Sequence, residues 1–250
     1  MKKTTGIYEW ASKGINCSTN CPNGCQYCYS RKMAVLRREI STFAEWTEMP
    51  RSKRNQKDER KLYDGIVMFP SAHDIFPENF SECKGAILNL LGAGNEVLIT
   101  SKPRLSCMLQ LYDCLEDYKD KVVFRFTIGC RNNEILKTWE PGAPPFEERF
   151  SCLVTAFTLG YKTSVSMEPM LDSPNVVSDA MYLHPYCTGD IWIGKMNKIA
   201  ERVGGVTREE IQRIEEGQRD EHIFRIYNEL KDTPRIQWKD SIKEVVTPIR

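Results

Sequence analysis

Short apolar runs recur along the chain with helical periodicity between them. The runs are Gly65-Ile66-Val67-Met68-Phe69-Pro70, Glu96-Val97-Leu98-Ile99-Thr100, Val122-Val123-Phe124-Arg125-Phe126-Thr127-Ile128, Thr163-Ser164-Val165-Ser166-Met167-Glu168 and Asp190-Ile191-Trp192-Ile193-Gly194. With a short strand near Gly14 to Asn16 they predict six strands. Leu105, Met108, Leu111, Tyr112, Leu115 and Tyr118 fall at helical spacing, as do Phe146, Phe150, Leu153, Val154 and Phe157 before the helix-ending Gly160. Strands that alternate with crossover helices pack as a parallel sheet. The pattern therefore predicts an α/β fold, a partial (β/α)6 TIM-like barrel over residues 1–205, with its chemistry at the strand C-termini. Beyond Gly205 the periodicity is helical only and opens on the capping box Thr207-Arg208-Glu209-Glu210. Residues 206–250 are expected to form a C-terminal helical extension packed on the barrel.

Composition narrows the function. The 250 residues are 41% apolar and 28% charged, enough to bury a core and unlike a disordered chain. Basic and acidic residues number 35 and 34, a net charge of +1, so no global field draws the chain to nucleic acid or an anionic membrane. No run approaches about 18 apolar residues. The start Met1-Lys2-Lys3-Thr4-Thr5-Gly6 has no apolar h-region. A cytoplasmic protein without a membrane partner is expected. Charge is uneven only at residues 31–61, an insertion with ten Lys and Arg against five Asp and Glu. It reads either as a solvated face with interleaved acids or as a clamp for phosphate.

Cys21-Pro22-Asn23-Gly24-Cys25-Gln26-Tyr27-Cys28 places three thiols in eight residues, spaced C-x3-C-x2-C. Such crowding in a long chain points to metal rather than to disulfides. Three thiolates on one loop can share an iron-sulfur cluster and leave one iron open, whereas structural zinc takes four protein ligands. The alternative is a zinc site that recruits Cys17, itself a C-x3-C step from Cys21. The other six cysteines (Cys83, Cys107, Cys114, Cys130, Cys152, Cys187) have no ligand spacing and read as small buried apolar residues.

Polar groups cluster at the strand tips. Ser71-Ala72-His73-Asp74 follows the second strand, Thr100-Ser101-Lys102-Pro103 the third, and Arg125, Thr127, Ser164, Ser166 and Glu168 punctuate the next two. Polar side chains alternating along apolar strands are costly unless they meet a ligand or each other, which places them in the lumen. Bland readings compete. Lys102 could be a solvated loop lysine, Glu168 an ion-pair partner of Arg125, and His73 and Asp74 turn or cap residues. Lys195 and Asn197, just past the sixth strand, are candidates to see substrate. Glu140, among Pro141, Gly142 and Pro144, reads as part of a structured loop over the barrel mouth.

The C-x3-C-x2-C loop with Tyr27 before its last cysteine, early in a run of β/α units, resembles the radical S-adenosylmethionine superfamily. Ser71-Ala72-His73-Asp74, Ile99-Thr100-Ser101-Lys102-Pro103, Arg125-Phe126-Thr127-Ile128, Trp139-Glu140-Pro141-Gly142-Ala143-Pro144 and Ser166-Met167-Glu168-Pro169 resemble motifs of its spore photoproduct lyase-like branch, across roughly residues 6–200. The resemblance implies a [4Fe-4S] cluster on Cys21, Cys25 and Cys28, and S-adenosylmethionine held by Ser71, Lys102 and Thr127. Ser166 and Glu168 would lie near it, and the Tyr27 backbone beside adenine. One departure is that Pro70-Ser71-Ala72 stands where the superfamily carries Gly-Gly-Glu, so amino-group binding must be arranged differently.

Among compact relatives the chain resembles the queuosine lyases. That implies a small nucleoside or nucleotide substrate, release of queuine from queuosine or its 5′-phosphate, and an electron donor such as flavodoxin or ferredoxin. His73, Asp74, Arg125, Lys195 and Asn197 would contact substrate, with Arg31 or Lys32 near a phosphate. The alternative is a radical enzyme that repairs or modifies nucleic acid.

Overall fold

In this computed structural model, which describes residues 6–48 and 51–247, seven parallel strands form one sheet in sequential order. They are β1 (Lys13–Gly14), β2 (Val67–Phe69), β3 (Val97–Ser101), β4 (Val122–Thr127), β5 (Lys162–Met167), β6 (Ile191–Ile193) and β7 (Ile236–Trp238). The longer helices are α1 (Tyr29–Leu36), α2 (Phe80–Gly92), α3 (Leu105–Cys114), α4 (Asn133–Trp139), α5 (Phe146–Thr158), α6 (Val176–Leu183), α7 (Arg208–Gly217), α8 (Asp220–Leu230) and α9 (Asp240–Val246). The start at residues 1–5, residues 49–50 of the insertion and residues 248–250 of the extension lie outside the described residues.

The curled parallel sheet is the partial barrel that the alternation predicts. Two details differ. The C-terminal segment is not helical only, because β7 lies between α8 and α9 and pairs with β6. A three-residue strand, Ile236-Gln237-Trp238, is too short to impose an alternation on its surroundings. The first strand ends at Gly14, so Asn16 stands beyond it, free to act through its side chain.

Alternation along the strands separates two environments. Val67, Phe69, Val97, Ile99, Val122, Phe124, Val165 and Ile191 are all fully buried within the main core that the helices cover. On the opposite face, Met68, Leu98 and Val123 with Ala11, Ile7 and Trp10 form a separate apolar cluster, the floor of the lumen. Above it the register aligns Thr100, Arg125 and Ser164, and above that Thr127, Ser166 and Trp192. The lumen is thus graded from apolar floor to polar rim.

Residues outside the strands close it. Lys239, just past β7, donates from Nζ to Gly6 O at 2.9 Å and pairs with Glu9 at 2.6 Å, while Glu9 also accepts the Asp240 N–H at 3.0 Å at the start of α9. The N-terminal segment thereby bridges from the floor to the last strand. No helix is long and apolar enough to cross a membrane among the described residues.

Candidate active site

The cysteine loop is held from several sides. Cys21 N–H donates to Trp46 O at 2.9 Å, Gln26 N–H to Trp139 O at 2.8 Å and Gly142 N–H to Asn23 O at 3.0 Å. Arg104 Nη2 joins Asn23 Oδ1 at 3.1 Å to Gly142 O at 2.6 Å. Cys28 Sγ caps α1 by accepting the Arg31 N–H at 3.3 Å. All ten cysteines are free thiols, Cys21 and Cys25 buried and Cys28 half-buried. Burial pushes the Cys25 thiol up to about 12, and raises Cys21 and Cys28 as well. The three thiols also feel one another, since a negative charge on Cys25 or Cys28 opposes ionisation of Cys21. Such thiols ionise only where a cation compensates them.

Three soft donors on one firmly held loop fit an iron-sulfur cluster. Cys17, the fourth thiol that a zinc site would need, lies instead against Cys83 and His73, and a cluster spreads three thiolates over separate irons.

Facing the loop is a buried charge network. Asp74 Oδ1 accepts the Lys102 N–H at 2.7 Å and the Ser101 hydroxyl at 3.0 Å, and Oδ2 accepts Asn23 Nδ2 at 2.8 Å. The Cys21 thiol lies 3.9 Å from the same Oδ2. Lys102 Nζ stands 3.8 Å from Asp74, 4.0 Å from Glu140 and 5.7 Å from the Tyr27 ring centre. Glu140 in turn accepts the Tyr27 hydroxyl and pairs with Arg149 at 2.6 Å. Burial alone would raise Asp74, but Lys102 and the three donors outweigh it and hold the carboxyl below its usual range. Burial likewise works against Lys102, yet Cys25, Tyr27, Asp74 and Glu140 raise it well above an ordinary lysine. The result is a fixed cation beside the cysteine loop, not a solvated lysine.

The lumen below carries the other strand-tip residues. Thr127 and Ser166 are buried neighbours in register. Arg125 Nε donates to Ser164 Oγ at 2.9 Å, and the guanidinium packs beside the Trp10 and Trp192 rings, 4.7 and 5.7 Å from their centres. Burial draws Arg125 down to about 10, so it stays charged at neutral pH. Glu168 does not pair with Arg125. Its partner is Lys239 at 3.6 Å, and burial raises its carboxyl.

Not every residue singled out from sequence enters this chamber with a free group. His73 Nδ1 bonds Asp74 O at 2.9 Å and Nε2 accepts the N–H groups of Cys17 and Ser18, each at 3.3 Å, so the ring pins one loop to another. Ser71 is positioned by Asn16, which receives the Ser71 and Ala72 N–H groups at 2.8 and 2.7 Å and donates Nδ2 to the Ser71 hydroxyl at 2.9 Å, a bond that leaves the hydroxyl its own proton to donate. Asn197 is exposed and Lys195 half-buried past β6. Arg31 is buried and spends Nη2 on Gln26 O at 2.9 Å, while Lys32 lies half-buried on α1. Cys17 contacts Cys83 at 3.6 Å and His73 at 3.9 Å. In the insertion Lys53 pairs with Glu39 at 3.3 Å on an exposed face, whereas Arg54 pairs with the fully buried Glu59, which also accepts Asn89 Nδ2 of α2 at 2.8 Å.

Sequence reading missed Asn16, Arg104, Arg149, Lys239, Trp10 and Trp192. Two left a trace. Arg149 falls on the apolar stripe of Phe146, Phe150 and Leu153, and Trp192 takes the lumen position in Ile-Trp-Ile.

No protein-family model matches the chain. The uncharacterized protein ORF301 of Acidianus two-tailed virus is 26% identical over 181 residues, 68% of this chain and 58% of that protein, so the match spans under two thirds of the relative's length. Among solved structures, a spore photoproduct lyase variant with bound S-adenosylmethionine and dinucleoside spore photoproduct aligns with a TM-score of 0.56 and 16% identity, covering 90% of this chain and 75% of that chain. Another variant of that enzyme aligns at 0.55 and 17%, with the same coverage. At these identities the likeness is one of fold.

Proposed function

We propose that this chain is a radical S-adenosylmethionine enzyme, with a [4Fe-4S] cluster on Cys21, Cys25 and Cys28. The observation that carries the reading is the loop itself: three free thiols, two buried and one half-buried, at the rim of a parallel half-barrel, facing the fixed cation Lys102. When bound there, cluster and S-adenosylmethionine together supply a 5′-deoxyadenosyl radical for hydrogen abstraction.

The chain's own residues bind, orient and exclude water. Lys102, with Ser71 and Thr127, would hold the methionyl and ribose portions of S-adenosylmethionine. Ser166 and Glu168 would flank it, and the Tyr27 backbone would meet the adenine. Asp74 and Glu140 keep Lys102 charged and in place, so that it offers a positive group without reorganisation. The apolar floor below keeps the lumen dry.

For the substrate we infer a small modified nucleoside or nucleotide, queuosine or its 5′-phosphate, with release of queuine, in a reducing cytoplasm where flavodoxin or ferredoxin donates the electron. What supports it is a lumen lined by Arg125, Trp10 and Trp192, which offers donors and aromatic faces to a heterocycle. A second reading, a nucleic-acid-modifying or DNA-repairing radical enzyme, is favoured by the fold shared with a lyase solved with a dinucleoside lesion bound.

The test is anaerobic reconstitution with iron and sulfide, then S-adenosylmethionine and dithionite with queuosine 5′-phosphate present or absent. Queuine released with substrate-stimulated 5′-deoxyadenosine supports the lyase. 5′-Deoxyadenosine without queuine removes that substrate and favours a dinucleotide lesion as the next probe.

A further inference from the structure

α1 leads from the cysteine loop to the surface, and its charges are of one sign. Its cap is Cys28, the half-buried member of the three thiols, whose Sγ accepts the Arg31 N–H at 3.3 Å. Residues 29–38 hold Arg31, Lys32, Arg37 and Arg38 and no acid. Arg31 is buried, but Lys32 is half-buried and Arg37 and Arg38 are exposed, and among the described residues none of these three forms an ion pair. The acids beside them are answered locally. Glu39 pairs with Lys53 at 3.3 Å and Glu201 with Lys198 at 3.6 Å, and the Glu45 carboxylate accepts the Ser41 and Thr42 N–H groups at 3.1 and 3.0 Å.

Apolar groups stand among these cations. Tyr29 and Leu36, seven positions apart on one face of α1, are 54% and 62% exposed, and Phe43 is 36% exposed. Tyr29 and Phe43 are joined through two arginines. The Arg202 guanidinium lies 5.0 Å from the Tyr29 ring centre, the Arg202 carbonyl accepts Arg31 Nη2 at 3.5 Å, and the Arg31 guanidinium lies 4.4 Å from the Phe43 ring centre. A single residue, Arg31, therefore reaches from the Cys28 thiol to a ring at the surface. An apolar centre inside a charged rim is the anatomy of a protein interface, and positive charge without local acids selects an acidic partner. A nucleic acid matches less well, because its reacting base must enter the lumen beside Lys102 and Thr127, whereas an electron need only reach the cysteine loop.

We propose that the outer face of α1, with Tyr29, Leu36 and Phe43 at its centre and Lys32, Arg37 and Arg38 at its rim, docks a small acidic one-electron carrier protein. The inference rests on the reading of Cys21, Cys25 and Cys28 as cluster ligands. The carrier is oxidised by one electron and the cluster reduced by one, with no bond formed or broken.

Reduced flavodoxin is the probe, and the reconstituted chain is compared with the double variant Arg37→Glu, Arg38→Glu. Calorimetry reads binding at low and high salt. 5′-Deoxyadenosine is then followed with flavodoxin or with dithionite, a small reductant that needs no docking surface. Flavodoxin binding is expected to weaken roughly ten-fold in the double variant and on raising the salt. Flavodoxin-driven 5′-deoxyadenosine should fall with it, while the dithionite-driven yield stays unchanged. Leu36→Asp, an acid placed at the exposed centre, should reproduce the loss and serves if the double variant does not fold. Binding and yield indifferent to these substitutions overturn the surface, as does an equal loss with both reductants, which would place the residues in the site itself. Binding that depends on Arg37 and Arg38 in a chain that forms no 5′-deoxyadenosine with either reductant upholds the surface and overturns the cluster reading. A single-stranded oligonucleotide that binds through the same residues more tightly than flavodoxin overturns the carrier in favour of nucleic acid.

Discussion

Gly142 approaches Pro22 so closely that a Cβ on residue 142 would fall 2.1 Å from the Pro22 carbonyl oxygen. That oxygen belongs to the loop between Cys21 and Cys25, so the backbone at Gly142 acts as the wall against which the loop is seated. The Trp139-Glu140-Pro141-Gly142 segment contributes two further contacts, a carbonyl for Gln26 and a carboxylate for Tyr27.

Gly142→Ala must push this backbone apart and shift the thiols relative to one another. Displacing an outer contact of a metal site costs roughly 10–100-fold in metal affinity. After anaerobic reconstitution, iron and sulfide counts should fall while circular dichroism stays unchanged. Full loading of the variant would contradict the role given to this contact.

Glu140→Gln leaves Arg149 buried with a neutral partner and Lys102 with Asp74 alone. Breaking a buried ion pair from one side costs about 3–5 kcal/mol. Urea unfolding of the cluster-free chain should show a loss of that order. A loss below about 1 kcal/mol, the level of an exposed pair, would mean that the network contributes little.

Asp74 gives a pH dependence of defined sign. Its folded carboxyl is held below the usual range, and in the unfolded chain it titrates near ~3.9. Its contribution is therefore fully present above about pH 4 and is lost as pH falls through the lower folded value. The stability gap between wild type and Asp74→Asn should be constant near neutrality and shrink in acid. A gap that widens on acidification would contradict this.

His73→Phe removes the acceptor for the Cys17 and Ser18 N–H groups. Each buried donor left unsatisfied costs about 1–3 kcal/mol. Thermal unfolding should register the loss, whereas KM for substrate should not move, because both ring nitrogens serve the fold. A raised KM at unchanged stability would return His73 to the substrate.

Much of this was legible in the chain. The strands were visible because apolar alternation survives in five or six residues, and the cysteine loop because its ligands are local. What stayed hidden was distant. Asp74 meets Lys102 28 positions on, Tyr27 meets Glu140 113 positions on, and Lys239 reaches Gly6 across 233. No local pattern encodes such pairings. Glu168 illustrates the limit: its place in the lumen was readable, but its partner is Lys239 rather than Arg125, and Lys239 stands just past the edge strand β7, whose three residues carry no periodic signal.

The central claim is that Cys21, Cys25 and Cys28 hold a cluster that works with S-adenosylmethionine. Anaerobically reconstituted chain and its Cys25→Ser variant would be assayed for iron, sulfide and dithionite-dependent 5′-deoxyadenosine. The account predicts about four irons and four sulfides per chain, with 5′-deoxyadenosine formed by the wild type and absent in the variant. Zinc without iron or sulfide, or 5′-deoxyadenosine formed equally by both proteins, would contradict it.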